Sequence, residues 1–314
     1  MNQRFFSLAT HLRARFGRRV QKIPLDVGAD CPNRDGTAGT GGCAFCSPRG
    51  AGSGLSHLPL AAQWERWAAR ARRKYGAHVG FMAYLQDHTA THLPLARLAA
   101  LLAEAASLPD CLALAVSTRP DTLDDEKLSA IAAVPLGEIW LDMGLQSAHD
   151  ATLTRIGRGH DAASFATACE RAAACGLLVC GHVILGLPGE TQEHWLSTID
   201  FLNRLPVAGV KFHNLFVSRG SALESAWQAG RFIPPEMDAY VQGLARCLER
   251  LRPDVVIHRL HADPAPGELA APAWAADRPA LRRAIENILT RLDAHQGMDY
   301  HPETGPNHVH GRKP

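Results

Sequence analysis

What the 314-residue chain lacks narrows its class before any motif is considered. No stretch approaches the ~20 consecutive apolar residues that a membrane-spanning helix needs. The arginine-studded N-terminus MNQRFFSLATHLRARFGRRV has no apolar run of roughly 7 to 15 residues and no small-residue cleavage site, so it does not read as a secretory signal. These absences predict a soluble, cytoplasmic protein without membrane attachment. Net charge is only +2, too little for a molecule-wide field that would gather a polyanion. Aromatic residues make up 6% of the chain, which leaves few platforms for stacking RNA bases. The closing stretch HPETGPNHVHGRKP has almost nothing apolar to bury, and residues 301–314 are expected to be a solvated tail.

What is present is a large hydrophobic complement, 46% of residues, enough for one sizeable core. Apolar, β-rich runs at Lys22 to Val27, Val79 to Leu85, Cys111 to Ser117, Glu138 to Leu145, Leu177 to Leu185 and Gly209 to Val217 alternate with segments of helical period. Those segments lie near 60–75, 94–106, 123–132, 161–175 and 190–203. This is the pattern of βα units around a parallel sheet, and six strands predict a partial rather than a closed barrel, over residues 1–220 with an N-terminal extension. Helical period returns near 222–229, 236–251 and 279–293, with a strand-like run at Val255 to Leu260, so 221–300 is expected to form a small α-rich cap. Its Pro- and Ala-rich link, Asp263 to Pro279, reads as irregular.

The eight cysteines do not resemble a secreted disulfide framework, because three of them crowd into DCPNRDGTAGTGGCAFCS directly after the first strand. Cys31, Cys43 and Cys46 follow the spacing C-x11-C-x2-C, and the glycines between Asp35 and Cys43 let the chain fold back tightly. Three thiolates on a [4Fe-4S] cluster leave one iron without a protein ligand, the vacancy that S-adenosylmethionine (SAM) chemistry requires. A Cys3His zinc site completed by His57 is the alternative, although the loop lacks the second ligand couple of a zinc knuckle. Cys111, Cys169, Cys175, Cys180 and Cys247 read as ordinary buried thiols and not as a second cluster.

Beyond the cysteines, STRPD at 117–121, DMGLQSAHD at 142–150, RGHD at 158–161, HVILGLPGE at 182–190 and KFHNLFVSRGS at 211–221 fall at or near strand ends. Taken together, these motifs resemble the YhcC-like radical SAM family. At a greater distance they resemble the radical domain of the elongator catalytic subunit, which modifies tRNA uridines, and the oxygen-independent coproporphyrinogen oxidases. The resemblance implies a partial (β/α)6 TIM-like barrel and reductive cleavage of SAM to a 5'-deoxyadenosyl radical. It also implies a reductant protein such as flavodoxin or ferredoxin.

By the same resemblance, Phe45 would lie against the adenine side of SAM, and Gln146, Arg158 and His182 occupy the positions of SAM-binding residues. The guanidinium of Arg158 suits a carboxylate. Strand two ends in YLQDHT where many relatives carry Gly-Gly-Glu, so contacts near Gln86 are expected from backbone. Ser117 replaces a glutamate, and Asp142 on the next strand is the expected substitute acceptor for ribose hydroxyls. His149, Asp150 and Gly159 to Asp161 are expected near a substrate pocket, with Lys211 and His213 as further candidate contacts. The basic segments Arg13 to Lys22 and Arg66 to Lys74 make RNA one of three substrate classes left open, alongside a small metabolite and a peptide. An electron-transfer or iron-sensing protein that holds a cluster without cleaving SAM is the reading of a different class.

Overall fold

The computed structural model describes residues 4–47, 50, 52, 54–86 and 88–302; Asp87 and the tail from 303 lie outside the described residues. Nine strands and ten α-helices occur among them. The strands are β1 (Val20–Asp26), β2 (Gly80–Gln86), β3 (Cys111–Thr118), β4 (Ile139–Gln146), β5 (Leu178–Leu185), β6 (Val207–Asn214), β7 (Val217–Ser218), β8 (Val256–Arg259) and β9 (Leu269–Ala271). The helices are α1 (Leu8–Phe16), α2 (Leu60–Tyr75), α3 (Leu95–Ala106), α4 (Asp125–Ala132), α5 (Asp150–Arg155), α6 (Ala162–Ala174), α7 (Gln192–Asn203), α8 (Ala222–Gln228), α9 (Met237–Arg250) and α10 (Arg278–Arg291). Among the described residues, no helix is long and apolar enough to cross a membrane.

Seven parallel strands in the order β1-β2-β3-β4-β5-β6-β8 curl into a half-barrel with helices around it. Six of them match the strand runs read from the sequence. The seventh, β8, comes from the segment expected to be a separate cap and pairs in parallel with β6. A run with valine and isoleucine on both faces fits a strand buried on both sides, which is why it joins the barrel sheet. Part of the link expected to be irregular also differs: β9 pairs antiparallel with β7.

Strand alternation divides the interior into two layers. Outward residues such as Phe81, Ala83 and Leu85 of β2 join the main core beneath the helices, where Trp64 of α2 is 1% exposed. Inward residues Val20, Met82, Ala113, Trp140, Cys180 and Val256 pack with Leu12 of α1 into a separate floor. Helix α1 therefore closes the N-terminal end of the half-barrel. Polar contacts fix it there: His11 Nε2 lies 2.8 Å from Glu138, and Trp140 Nε1 donates to the same carboxylate at 2.5 Å. The segment before α1 shields the outer β8 edge through Ile257 N donating to Phe6 O at 2.7 Å, blunting an otherwise open strand. With its floor sealed, the lumen opens toward the C-terminal strand ends, the functional end of parallel barrels.

Leu12→Ala should therefore behave as a core truncation and cost ~2–5 kcal/mol in urea denaturation. A loss near zero would show that α1 does not belong to the core.

Candidate functional site

The cysteine loop starts where β1 ends. Asp30 Oδ1 accepts from Cys31 N at 2.8 Å, and the Cys31 carbonyl accepts from Arg34 N at 2.8 Å, so the chain turns back at once. Cys43 and Cys46 are bound together by Cys46 N donating to Cys43 O at 2.9 Å. Between them, Ala44 N donates to Ile156 O at 2.8 Å and Ala44 O accepts from Leu223 N at 3.0 Å. The cysteine pair is thus pinned between the C-terminal end of α5 and the start of α8. Phe45 packs beside Ala44 against a second apolar cluster containing Leu153, Ile156 and Leu187.

The sulfurs sit in a polar, cationic setting. Asn33 Nδ2 donates to Cys43 Sγ at 3.4 Å, and Arg158 Nη1 approaches the same sulfur at 3.7 Å. A hydrogen bond from the Cys46 thiol, helped by the Arg158 charge, draws Cys43 down to about 5 against the opposing effect of burial. Cys46 shifts upward because it shares its proton with Cys43, and Cys31 is close enough to add to that shift. A structural zinc takes four protein donors, whereas a [4Fe-4S] cluster held by three thiolates keeps one iron open. His57, the alternative fourth ligand, is exposed. This donor set fits a cluster.

Two buried arginines complete the setting. Arg158 Nη2 donates to Gly144 O at 2.8 Å, while its Nε has no partner among the described residues. Arg119 grips Asp121 with Nε at 2.8 Å and Nη2 at 2.7 Å, donates to Arg158 O at 3.0 Å, and leaves Nη1 unpaired. Buried unpaired guanidinium hydrogens are costly unless an acceptor completes them. Neither Arg119 nor Asn33 was singled out from sequence. The STRPD motif was the available signal for Arg119, and nothing marked Asn33. Close approach requires glycine here: a Cβ at Gly144 would stand 2.5 Å from Arg158 Nη2 and 2.7 Å from Gln146 Nε2. Gln146 itself has φ of 78°, an uncommon conformation for a residue with a Cβ.

The other candidates lie on the strands. Ser117 Oγ, at 7% exposure, lies 3.5 Å from Ala90 N, and Gln86 ends β2 beside Asp26 of β1. His182, Lys211, His213 and Asp142 lie on the inward parity of β5, β6 and β4, which Ser117 and Gln86 share on β3 and β2. Asp142 is fully enclosed: Lys22 Nζ lies 2.8 Å from its Oδ2, and Lys211 Nζ bonds the same oxygen. Burial would push its carboxyl up, but the two ammoniums outweigh this and hold it well below the usual range. Burial and the same lysines push His182 and His258 well down, and burial with Arg259 and Lys211 does the same to His213, leaving all three neutral.

Residues near the expected substrate pocket serve as local anchors. Asp161 caps α6 by accepting from Ser164 N at 2.8 Å, Asp150 accepts from Ala162 N at 2.9 Å, and His149 Nε2 lies 3.1 Å from His194 O. Among the remaining cysteines, Cys169, Cys180 and Cys247 are buried, whereas Cys175 is exposed at the end of α6, contrary to expectation.

Replacing Cys31, Cys43 or Cys46 by Ser should each lower iron-sulfide absorbance roughly tenfold after anaerobic reconstitution. Cys175→Ser should reconstitute like the parent protein. Full absorbance in any one of the three loop variants would remove that cysteine from the ligand set.

Comparison with known proteins agrees with this architecture. The Radical SAM superfamily matches residues 34–202, a span that includes Cys43 and Cys46 and begins after Cys31, and the Radical_SAM C-terminal domain matches 207–291. Protein YhcC of Escherichia coli (strain K12) is 37% identical over 273 residues, covering 85% of this chain and 86% of that protein. The uncharacterized protein YtqA of Bacillus subtilis (strain 168) is 32% identical over 300 residues, with 94% and 92% covered. In fold, the chain is similar to the archaeal Methanocaldococcus infernus Elp3 with an N-terminal deletion, with a TM-score of 0.66 at 14% identity. That likeness covers 88% of this chain and 64% of the other. The chain belongs to the radical SAM superfamily, within the group that includes YhcC and YtqA.

Proposed function

We propose that the protein is an enzyme that reductively cleaves SAM at a [4Fe-4S] cluster and directs a 5'-deoxyadenosyl radical at a substrate in the lumen. The observation that carries this reading is the convergence of Cys31, Cys43 and Cys46 beside two buried arginines with unpaired nitrogens. A cluster held by those cysteines would supply the electron that splits the sulfonium bond of SAM. Arg158 would orient the SAM carboxylate, with Gln146 beside it, and Arg119 would stiffen Arg158 from behind. Phe45 would border the adenine, while backbone at Gln86 and the side chains of Ser117 and His182 would receive the remaining polar groups. Asp142 would hold the two lysines through Oδ2, with Oδ1 left as the expected acceptor for a ribose hydroxyl. A flavodoxin or ferredoxin would deliver the electron.

Exposed Arg66, Arg70, Arg73 and Lys74 on α2 favour a second reading in which the substrate is tRNA. They lie on an outer helix, where they would bind backbone phosphate without reading sequence.

Anaerobically reconstituted protein given dithionite and SAM should release 5'-deoxyadenosine. Gly144→Ala, by displacing Arg158 and Gln146, should raise the KM for SAM roughly ten- to hundredfold. Intact SAM after prolonged reduction of a full cluster would overturn the reading. Incubation with bulk tRNA followed by nucleoside mass analysis tests the second reading; an unchanged nucleoside profile would count against it.

A further inference from the structure

The lumen carries a polar cluster around Asp142 whose lysines the cysteine site leaves unused. Lys22 of β1 and Lys211 of β6 reach from opposite sides of the half-barrel to one oxygen of Asp142. Both ammoniums also lie over the ring of Tyr84, at 3.9 and 4.5 Å from its centroid. One carboxylate against two ammoniums leaves a surplus positive charge in a desolvated place, and buried surplus charge is costly unless a counter-charge arrives. Cation-π contact offsets part of this cost but supplies no anion.

The surrounding imidazoles point the same way. His182 stacks on His213 with ring centroids 5.4 Å apart, and neither Nε2 has a hydrogen-bond partner. His258 has no partner at either ring nitrogen. A neutral imidazole always carries one N–H, so His258 holds a donor with no acceptor among the described residues, and the Nε2 of His182 and of His213 is free to carry the N–H toward a ligand. Access exists, since the side chains of Lys22 and His182 are 19% and 17% exposed.

A cation is the competing occupant. Asp142, Cys180 and His258 bring ligand atoms within 4.8 Å of one another, as a metal site would require. Both ammoniums already touch the Asp142 carboxylate, however, and a divalent ion placed there would meet two like charges at contact range. The charge balance selects an anion over a metal.

We propose that this cluster is an anion subsite: Lys22, Lys211 and His213 receive a carboxylate or phosphate group of the substrate, while Asp142 holds the two ammoniums together. Assigning that anion to the substrate rests on the lumen being the reaction chamber; the anion site itself does not.

Calorimetric titration of the reconstituted holoenzyme, without reductant or SAM, separates the two statements. Acetate and methyl phosphate serve as anionic probes and acetamide as the neutral one. At least one anion should bind, and acetamide should give no heat. Binding by acetate alone identifies a carboxylate site, by methyl phosphate alone a phosphate site, and by both a site that reads charge; each supports the proposal. Lys22→Met and Lys211→Met should weaken the anion about tenfold, whereas Asp142→Asn, which removes the competing carboxylate, should strengthen it by a similar factor. Opposite signs are something a merely structural role would not produce. No anion binding by folded wild-type holoenzyme, equal binding of acetamide, or a shift of the same sign in lysine and Asp142 variants would overturn the proposal. Because no SAM is turned over, failure of SAM cleavage would leave this result unaffected.

Discussion

The guanidinium of Arg158 ties the cysteine loop to the sheet, and the candidate site depends on that tie. One arm meets Cys43 Sγ and the other donates to the carbonyl of Gly144, while the Arg158 carbonyl accepts from Arg119. A buried cation placed against a thiol stabilises the thiolate, the form that binds iron. The same group fixes the distance between the loop after β1 and the end of β4, two segments far apart in sequence. Gly144 is the steric condition for this, because any side chain there would occupy the space of Arg158 and Gln146. Positioning and electrostatics therefore come from a single residue held on three sides.

Behind this tie lies a lumen whose chemistry is unusual for a barrel floor. The lower layer is apolar, with Met82, Trp140 and Val256 packed on α1. One pleat higher, the inward positions become Lys22, Tyr84, Asp142 and His258. Such a layer contributes little to stability, since desolvation of each ion offsets its pairing. Its presence is better explained by a task performed at the strand ends above it than by the requirements of folding.

Much of the fold was legible because parallel strands buried on both faces leave continuous apolar runs, and six of seven appeared that way. The seventh, β8, was recognised as strand-like, but its partner was not legible: pairing with β6 depends on how α8 and α9 lead the chain back. Short β7 and β9 carry too few residues to show a period. The three loop cysteines were visible from spacing alone. Lys22 was grouped with a basic surface segment, yet its parity with Val20 places it inside the barrel. Arg119 and Asn33 stayed hidden because their partners, Arg158 and Cys43, reach them only through folding.

A cluster held by Cys31, Cys43 and Cys46 would leave one iron free for SAM. Electron paramagnetic resonance of the reduced, reconstituted protein, recorded with and without SAM, tests it most directly. Direct chelation predicts that SAM will change the g-values of the cluster signal, and that Arg158→Ala will require more SAM to produce the same change. A reduced cluster whose spectrum is identical with and without saturating SAM would contradict the account and favour a protein that transfers or senses electrons.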